Sequence, residues 1–285
     1  MQFTDLLLRS GIEPESVLIF RHRPPEPALR KVLPWLASER HDVYNAYQRS
    51  HGPKVEVALQ KAAYVASFIG NEPGKALFVG LYRRGAFGLV GRDECYADPA
   101  FKALGDLGLI ETRENFLRFD LDRTEFYAQW AGRLVVDWPP PERSWWRWAA
   151  RNELRVSAVH EHDILATTMP DWQRLVLTWT ELAVLPRRWR AALAEWRGIY
   201  MIFDTRDAKP YVGSAYGSDN ILGRWLAYAA SGHGGNVELK GRDPTSFRFS
   251  ILQRVSPDME VSDVIALEAT WKERLHSREF GLNAN

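Results

Sequence analysis

The sequence predicts an α+β protein built in two parts, and three observations carry that prediction. Short runs of β-branched and aromatic residues, roughly four to eight long and closed by Gly, Pro or Asp, recur along the chain and read as strands. Amphipathic stretches such as Asn220–Tyr228 and Ile265–Leu275 read as helices. Between the two parts lies Pro139-Pro140-Pro141, a stiff segment at which the texture changes from strand-rich to rich in tryptophan and arginine.

In chain order, residues 28–47 read as helical with a break at Pro34, where the ring removes a backbone donor. Ala62–Ile69 and Lys75–Tyr82 are predicted strands, joined through Asn71-Glu72-Pro73-Gly74, whose residue types suit a turn. Arg118–Leu121 and Arg133–Trp138 add two more. Residues 1–140 are therefore expected to form a separate α+β domain with the strand content of a small barrel. Within it, Ala76–Arg83 is similar to strands of PUA-like base-reading barrels, a likeness that implies a target-reading role but assigns no residues.

Residues 141–196 read as a connecting region. Arg143, Arg147, Arg151 and Arg155 alternate with Trp145, Trp146 and Trp148, and Arg187, Arg188 and Arg190 surround Trp189. Such interleaving suits phosphate contact with base stacking. It equally suits a scaffold whose tryptophans pack inward while the arginines stay solvated. Trp172, Trp179 and Trp189 fit the second reading better, because Leu175–Trp179 has the composition of a buried strand.

The remaining segment, 197–285, carries the strongest pattern. Gly198-Ile199-Tyr200 opens an apolar run to Phe203, Asp204–Asp207 supplies a polar turn, and Tyr211-Val212-Gly213 closes a second strand. The two tyrosines are expected side by side across this hairpin. Arg224 and Tyr228 follow on one helix, His233 in a glycine-rich loop, Glu268 on a later helix and Asn283 near the end. The order resembles the GIY-YIG nuclease superfamily, over about the last third of the chain. That family places its triplets on a hairpin in a small antiparallel sheet flanked by helices, with an arginine, a glutamate and an asparagine in the order found here. Two departures stand out: the second triplet reads Tyr-Val-Gly, and Tyr228 occupies a position where the family often has histidine.

The resemblance implies hydrolysis of a phosphodiester, and the residues supply groups for it. Glu268 is suited to a hard divalent cation, Mg2+ or Mn2+, which takes one or two carboxylates with waters and phosphate oxygens. Arg224 offers a planar fork matched to phosphate. Tyr200 is the expected acceptor of the water proton, a role that requires its pKa to fall from about 10. Tyr211 would position the water, Tyr228 or His233 would complete a proton relay, and Asn283 would orient its neighbours. Taken one at a time these residues have plainer readings. Tyr200 and Tyr211 could be half-buried strand residues, Glu268 an i,i+4 partner of Lys272 and Arg224 a cation over the Tyr228 ring. His233 could be incidental to its loop, and Asn283 sits where chain ends commonly fray.

Composition narrows the class further. The chain has 285 residues, 46% hydrophobic and 12% aromatic, enough for two packed cores. The net charge of +1 provides no overall attraction to nucleic acid, so any such attraction must be local. The single cysteine, Cys95, excludes an internal disulfide and a cysteine-based zinc site. His160-Glu161-His162 lacks further ligands at a useful spacing and reads as a polar loop. No apolar run reaches the roughly eighteen residues of a membrane span, and the first residues lack the pattern of a secretory signal. The expectation is a cytoplasmic, nucleoid-associated DNA endonuclease of restriction or defence type. The first domain would select a target, including a modified base, and the last would cut. The alternative is a catalytically inactive reader of modified bases in DNA or RNA.

Overall fold

The computed structural model describes residues 1–70, 72–166, 168–218, 220–234, 236 and 238–284. The chain divides into two compact units, Met1–Thr167 and Thr168–Asn285.

In the first unit α1 (Phe3–Arg9) and β1 (Val17–His22) precede a run of three helices, α2 (Pro27–Glu39), α3 (His41–Gln48) and α4 (Pro53–Lys61). Then come β2 (Tyr64–Ile69), β3 (Lys75–Gly91), α5 (Arg92–Ala97), α6 (Pro99–Asp106), β4 (Asn115–Arg123), β5 (Leu134–Asp137), β6 (Trp146–Trp148) and β7 (Val156–Val159). The strands form one seven-stranded sheet in the order β6-β1-β2-β3-β5-β7, with β4 added on β3. β1 lies inside the sheet, parallel to β2 on one side and antiparallel to β6 on the other, and all six of its residues are buried, which explains its unbroken apolar start. Phe3 packs edge-on against Phe68 at 5.2 Å and Phe126 at 5.9 Å, anchoring the core on one side of the sheet. Among the described residues β6 and β7 do not pair with each other, so the sheet stays open and the expected barrel does not close.

Two local expectations change. Pro34 lies inside α2 and does not break it. A helix-interior proline costs about 3 kcal/mol, and here Leu29, Val32, Leu33, Trp35 and Leu36 are all buried along the same helix, which offsets that loss. The turn expected at Asn71–Gly74 begins on a residue outside those described; from Glu72 onward the backbone turns into β3.

The domain boundary also moves. Past the prolines, β6 adds antiparallel to the free edge of β1 with Leu18 opposite Trp148, and β7 pairs with β5. The guanidinium carbons of Arg21 and Arg147 lie 5.8 Å and 5.2 Å from the centre of the Trp138 ring, and Arg155 pairs with Asp137 at 2.9 Å. The expected 1–140 domain thus extends to 167, and the expected connector 141–196 is divided between the two units. The prolines make a turn within a unit because the strand beyond them has a sheet edge to satisfy.

The second unit holds β8 (Val176–Thr178), α7 (Trp179–Ala183), α8 (Arg187–Glu195), β9 (Arg197–Asp204), β10 (Lys209–Ala215), α9 (Asn220–Ser231), β11 (Phe247–Val255) and α10 (Val261–Arg274). Its four-stranded antiparallel sheet runs β10-β9-β11-β8. The predicted strand at Leu175–Trp179 is shorter than expected, because Thr178 caps α7 in a reciprocal capping box with Glu181. Trp189 is buried on α8, and Trp179 donates its indole N–H to the Ala229 carbonyl at 2.9 Å, so both are scaffold. Side-chain alternation splits the hairpin between two faces. Ile199 and Val212 pack with Val264 of α10, while Trp225 of α9 packs on Phe249 at 5.6 Å. Among the described residues, no helix is long and apolar enough to cross a membrane.

Candidate active site

The glycines of the two triplets are explained by close approach. A Cβ on Gly198 would overlap the Gln253 carbonyl oxygen where β11 bulges against β9. A Cβ on Gly213 would stand 2.5 Å from the Tyr200 hydroxyl oxygen. Only a residue without a side chain lets the Tyr200 ring lie across β10.

That register corrects the placement of the two tyrosines. Tyr200 is opposite Gly213 and Tyr211 is opposite Ile202, so the tyrosines are diagonal neighbours on one face and not a direct cross-strand pair. Tyr228, reaching from α9, joins them. The Tyr200 hydroxyl donates to Tyr228 at 3.2 Å, and the Tyr228 hydroxyl donates to Tyr211 at 3.0 Å. The Tyr228 ring lies 6.1 Å from that of Tyr200 and 5.8 Å from that of Tyr211. Tyr200 and Tyr228 are 1% and 2% exposed, which encloses most of this hydroxyl chain.

Burial raises the Tyr200 phenol above its ordinary pKa, with Tyr211 adding to the rise; the Tyr228 hydrogen bond and the Arg224 charge only partly oppose it. Tyr228 is driven up as well, first by burial and then by its two tyrosine neighbours. The folded chain by itself therefore makes Tyr200 harder to ionise, opposite to the shift the water-activating role requires.

Ser214, one residue beyond Gly213, points to the other face of the edge strand and donates to Glu268 Oε2 from α10. Lys272, one turn on, pairs with Glu268 Oε1 at 2.8 Å. The Glu268 side chain is 18% exposed and Lys272 only 8%. Tyr200, Tyr211, Arg224, Tyr228 and Glu268 line one cleft of about 290 Å³, together with Ser214 and Lys272. Arg224 is exposed and, among the described residues, its guanidinium has no ion-pair partner.

Two of the expected residues stand apart. Asn283 accepts from the Val212 amide at 2.9 Å and donates to the Val212 carbonyl at 2.8 Å, doing for the edge of β10 what a paired strand would do. It is buried and fixes the strand that carries Tyr211. Gly281 permits this close return, since a Cβ there would lie 2.6 Å from the Ser277 carbonyl. His233 is not among the residues lining the cleft, whereas its neighbours Gly234 and Asn236 are.

The cleft offers one carboxylate, and the described residues contain no cluster of three or more His, Cys, Asp or Glu side chains able to hold a metal. That donor set fits a cation such as magnesium, which keeps most of its waters and leans on one or two carboxylates. Each Glu268 oxygen already accepts one hydrogen bond and retains a lone pair for a cation. Ser214 and Lys272 were not anticipated as site residues. The signal available for Lys272 was its i,i+4 spacing from Glu268, and for Ser214 only its place after the second triplet.

No family model matches the chain, and no curated protein matches it. Among solved structures, a variant of the catalytic domain of intron endonuclease I-TevI is 27% identical, over 32% of this chain and 94% of that one, with a TM-score of 0.27. A second structure, of the catalytic domain of homing endonuclease I-TevI, is 28% identical over 31% of this chain and 98% of that one, again with a TM-score of 0.27.

Proposed function

We propose that this chain is a metal-dependent DNA endonuclease that cuts in the cleft of its second unit and selects its target with its first. The observation that carries the reading is the convergence of Tyr200, Tyr211, Arg224, Tyr228 and Glu268 in one cleft, although they are drawn from a hairpin and two separate helices. Arg224, exposed and without an ion-pair partner among the described residues, would present its guanidinium to a phosphate. Glu268 would hold Mg2+ or Mn2+, which when bound supplies Lewis-acid neutralisation of phosphate charge and a more acidic water.

The tyrosine chain moves a proton without requiring a standing phenolate. A water donating to the Tyr200 oxygen can pass its proton as Tyr200 gives its own to Tyr228 and Tyr228 gives its own to Tyr211. Tyr211 then releases a proton into the cleft, towards the leaving oxygen or solvent. This accommodates the raised Tyr200 and Tyr228 pKa values, because each hydroxyl stays neutral before and after the transfer. His233 would serve at most as an outer member of this relay, and Asn283 as a positioning residue for β10.

The setting we favour for this activity is restriction or defence, in which a small cutting module would rely on a larger unit for its recognition surface. A second reading, an inactive reader of modified DNA or RNA, is favoured by one observation: Lys272 and Ser214 already engage both oxygens of Glu268. One experiment separates the two. Wild-type chain and Glu268→Gln are incubated with magnesium and unmodified, methylated and hydroxymethylated duplexes, with RNA alongside. The expected result is cleavage of at least one DNA by the wild type and a loss of at least about 10²-fold in Glu268→Gln. Equal cleavage by both would remove Glu268 from the site, and no cleavage by either would leave the reader.

A further inference from the structure

The first unit contains a cavity of about 700 Å³, lined by the end of β1, the 50–53 loop after α3, the segment between α6 and β4, and the residues leading into β6. Its wall is aromatic. Trp145 is held against β1 by the Arg21 amide, which donates to the Trp145 carbonyl at 2.7 Å, and its ring lies 5.2 Å from that of His51. Tyr47 and the buried Phe101 complete the apolar lining.

The charges around this cavity are unequally matched. Arg21 pairs with Glu142 at 3.3 Å and Arg113 with Glu111 at 2.8 Å, so those four cancel. Arg23 and Arg143 also line the cavity, both exposed, and among the described residues neither has an ion-pair partner. The result is an aromatic pocket with surplus positive charge on exposed side chains. His51 adds a ring to the wall and no charge: its Nε2 is buried without a hydrogen-bond partner among the described residues, and burial pushes its pKa down to about 4, so the ring is neutral at physiological pH.

We propose that this cavity is a binding site for a single unstacked nucleotide of a DNA strand. The planar base lies against the Trp145–Tyr47–His51 wall, and its phosphate is met by Arg23 and Arg143. The cavity is large enough for such a ligand, ordinary small-molecule sites being about 300–1,000 Å³. A flipped base is generally read in this manner, by stacking on aromatic side chains and hydrogen bonds to its exposed edge. The inference rests on the reading of the first unit as the target selector and gives that role a location.

The test is equilibrium binding of the full chain, in EDTA to prevent cutting, to fluorescein-labelled DNA duplexes that differ by one unpaired nucleotide. A free 5′-mononucleotide is added as competitor in a further arm. The wild type should prefer the duplex with the unpaired nucleotide, and Trp145→Ala should lose on the order of 10-fold of that preference. Trp145→Phe should restore most of it, and paired-duplex binding should change little in either variant. Arg23→Ala with Arg143→Ala, both exposed, should weaken binding and flatten its salt dependence. Equal binding of the two duplexes by wild type, or an undiminished preference in Trp145→Ala, would overturn the proposal. Tight mononucleotide binding that depends on Trp145, with no duplex preference, would keep the ligand chemistry and overturn a strand as its source. Cleavage in magnesium is scored separately: a preference without cleavage sinks only the nuclease reading, and cleavage without a preference sinks only this one.

Discussion

Gly213 lies directly opposite Tyr200 in the hairpin, close enough that a methyl group on it would occupy the space of the Tyr200 hydroxyl. The second glycine of the motif is thus a condition on the first tyrosine. Gly213→Ala should leave the unit folded, because β10 is an edge strand, but push Tyr200 off its bond to Tyr228. Displacement of a reacting group by about 1 Å costs on the order of 10²-fold in rate. Cleavage should fall by that order while a cooperative transition is kept at a melting temperature lowered in line with the roughly 1–3 kcal/mol that overpacking costs, and full activity would mean that Tyr200 is not held for chemistry.

Tyr228 stands between Tyr200 and Tyr211 in the hydroxyl chain, which makes it as consequential as either. Tyr228→Phe should reduce the cleavage rate as much as Tyr200→Phe, and the double variant should lose little more than one single, since both cut the same relay. His233→Ala should have a smaller effect. Rates for the four variants at saturating substrate decide it; additive losses in the double variant would show that the tyrosines act independently.

The units divide at Thr168, not at the prolines. A fragment starting at Thr168 should show a cooperative thermal transition of its own. A fragment starting at Arg143 should carry residues 143–167 as protease-sensitive chain, because β6 and β7 would have left their partners β1 and β5 behind. Limited proteolysis followed by mass measurement would show whether the first cut in the longer fragment falls there.

His22 is 1% exposed with neither ring nitrogen hydrogen-bonded among the described residues, and burial pushes its pKa down to about 3. An unfolded histidine titrates near about 6.5, so below that pH the unfolded chain binds a proton that the folded chain refuses. The stability linked to neutral His22 is present above about pH 6.5 and is lost as pH falls from there towards the folded value. The first unit should therefore melt at lower temperature at pH 5 than at pH 7, and His22→Phe should flatten that dependence. An unchanged slope in His22→Phe would place the acid sensitivity elsewhere.

Much of the second unit was legible because its signals are local. Alternation and turn residues marked β9 and β10, helical spacing marked α9 and α10, and the order of Tyr200, Tyr211, Arg224, Tyr228 and Glu268 gathered residues that do share a cleft. The first unit was less legible because its sheet is non-local. Trp146–Trp148 reads equally as nucleic-acid-facing or as scaffold with its tryptophans packed inward until it is known that β1 offers an edge to it.

The sequence by itself marked the hairpin framed by the two glycine–tyrosine triplets, the helices that became α9 and α10, and the order of Tyr200, Tyr211, Arg224, Tyr228 and Glu268 along the chain. Tertiary structure decided the diagonal offset that inserts Tyr228 between the two tyrosines, the upward shift of the Tyr200 pKa, the Lys272 and Ser214 contacts on Glu268, and the unit boundary at 167. The physical reason is range: propensity and turn chemistry act within a few residues, whereas register, burial and sheet-edge pairing depend on partners brought together from far along the chain.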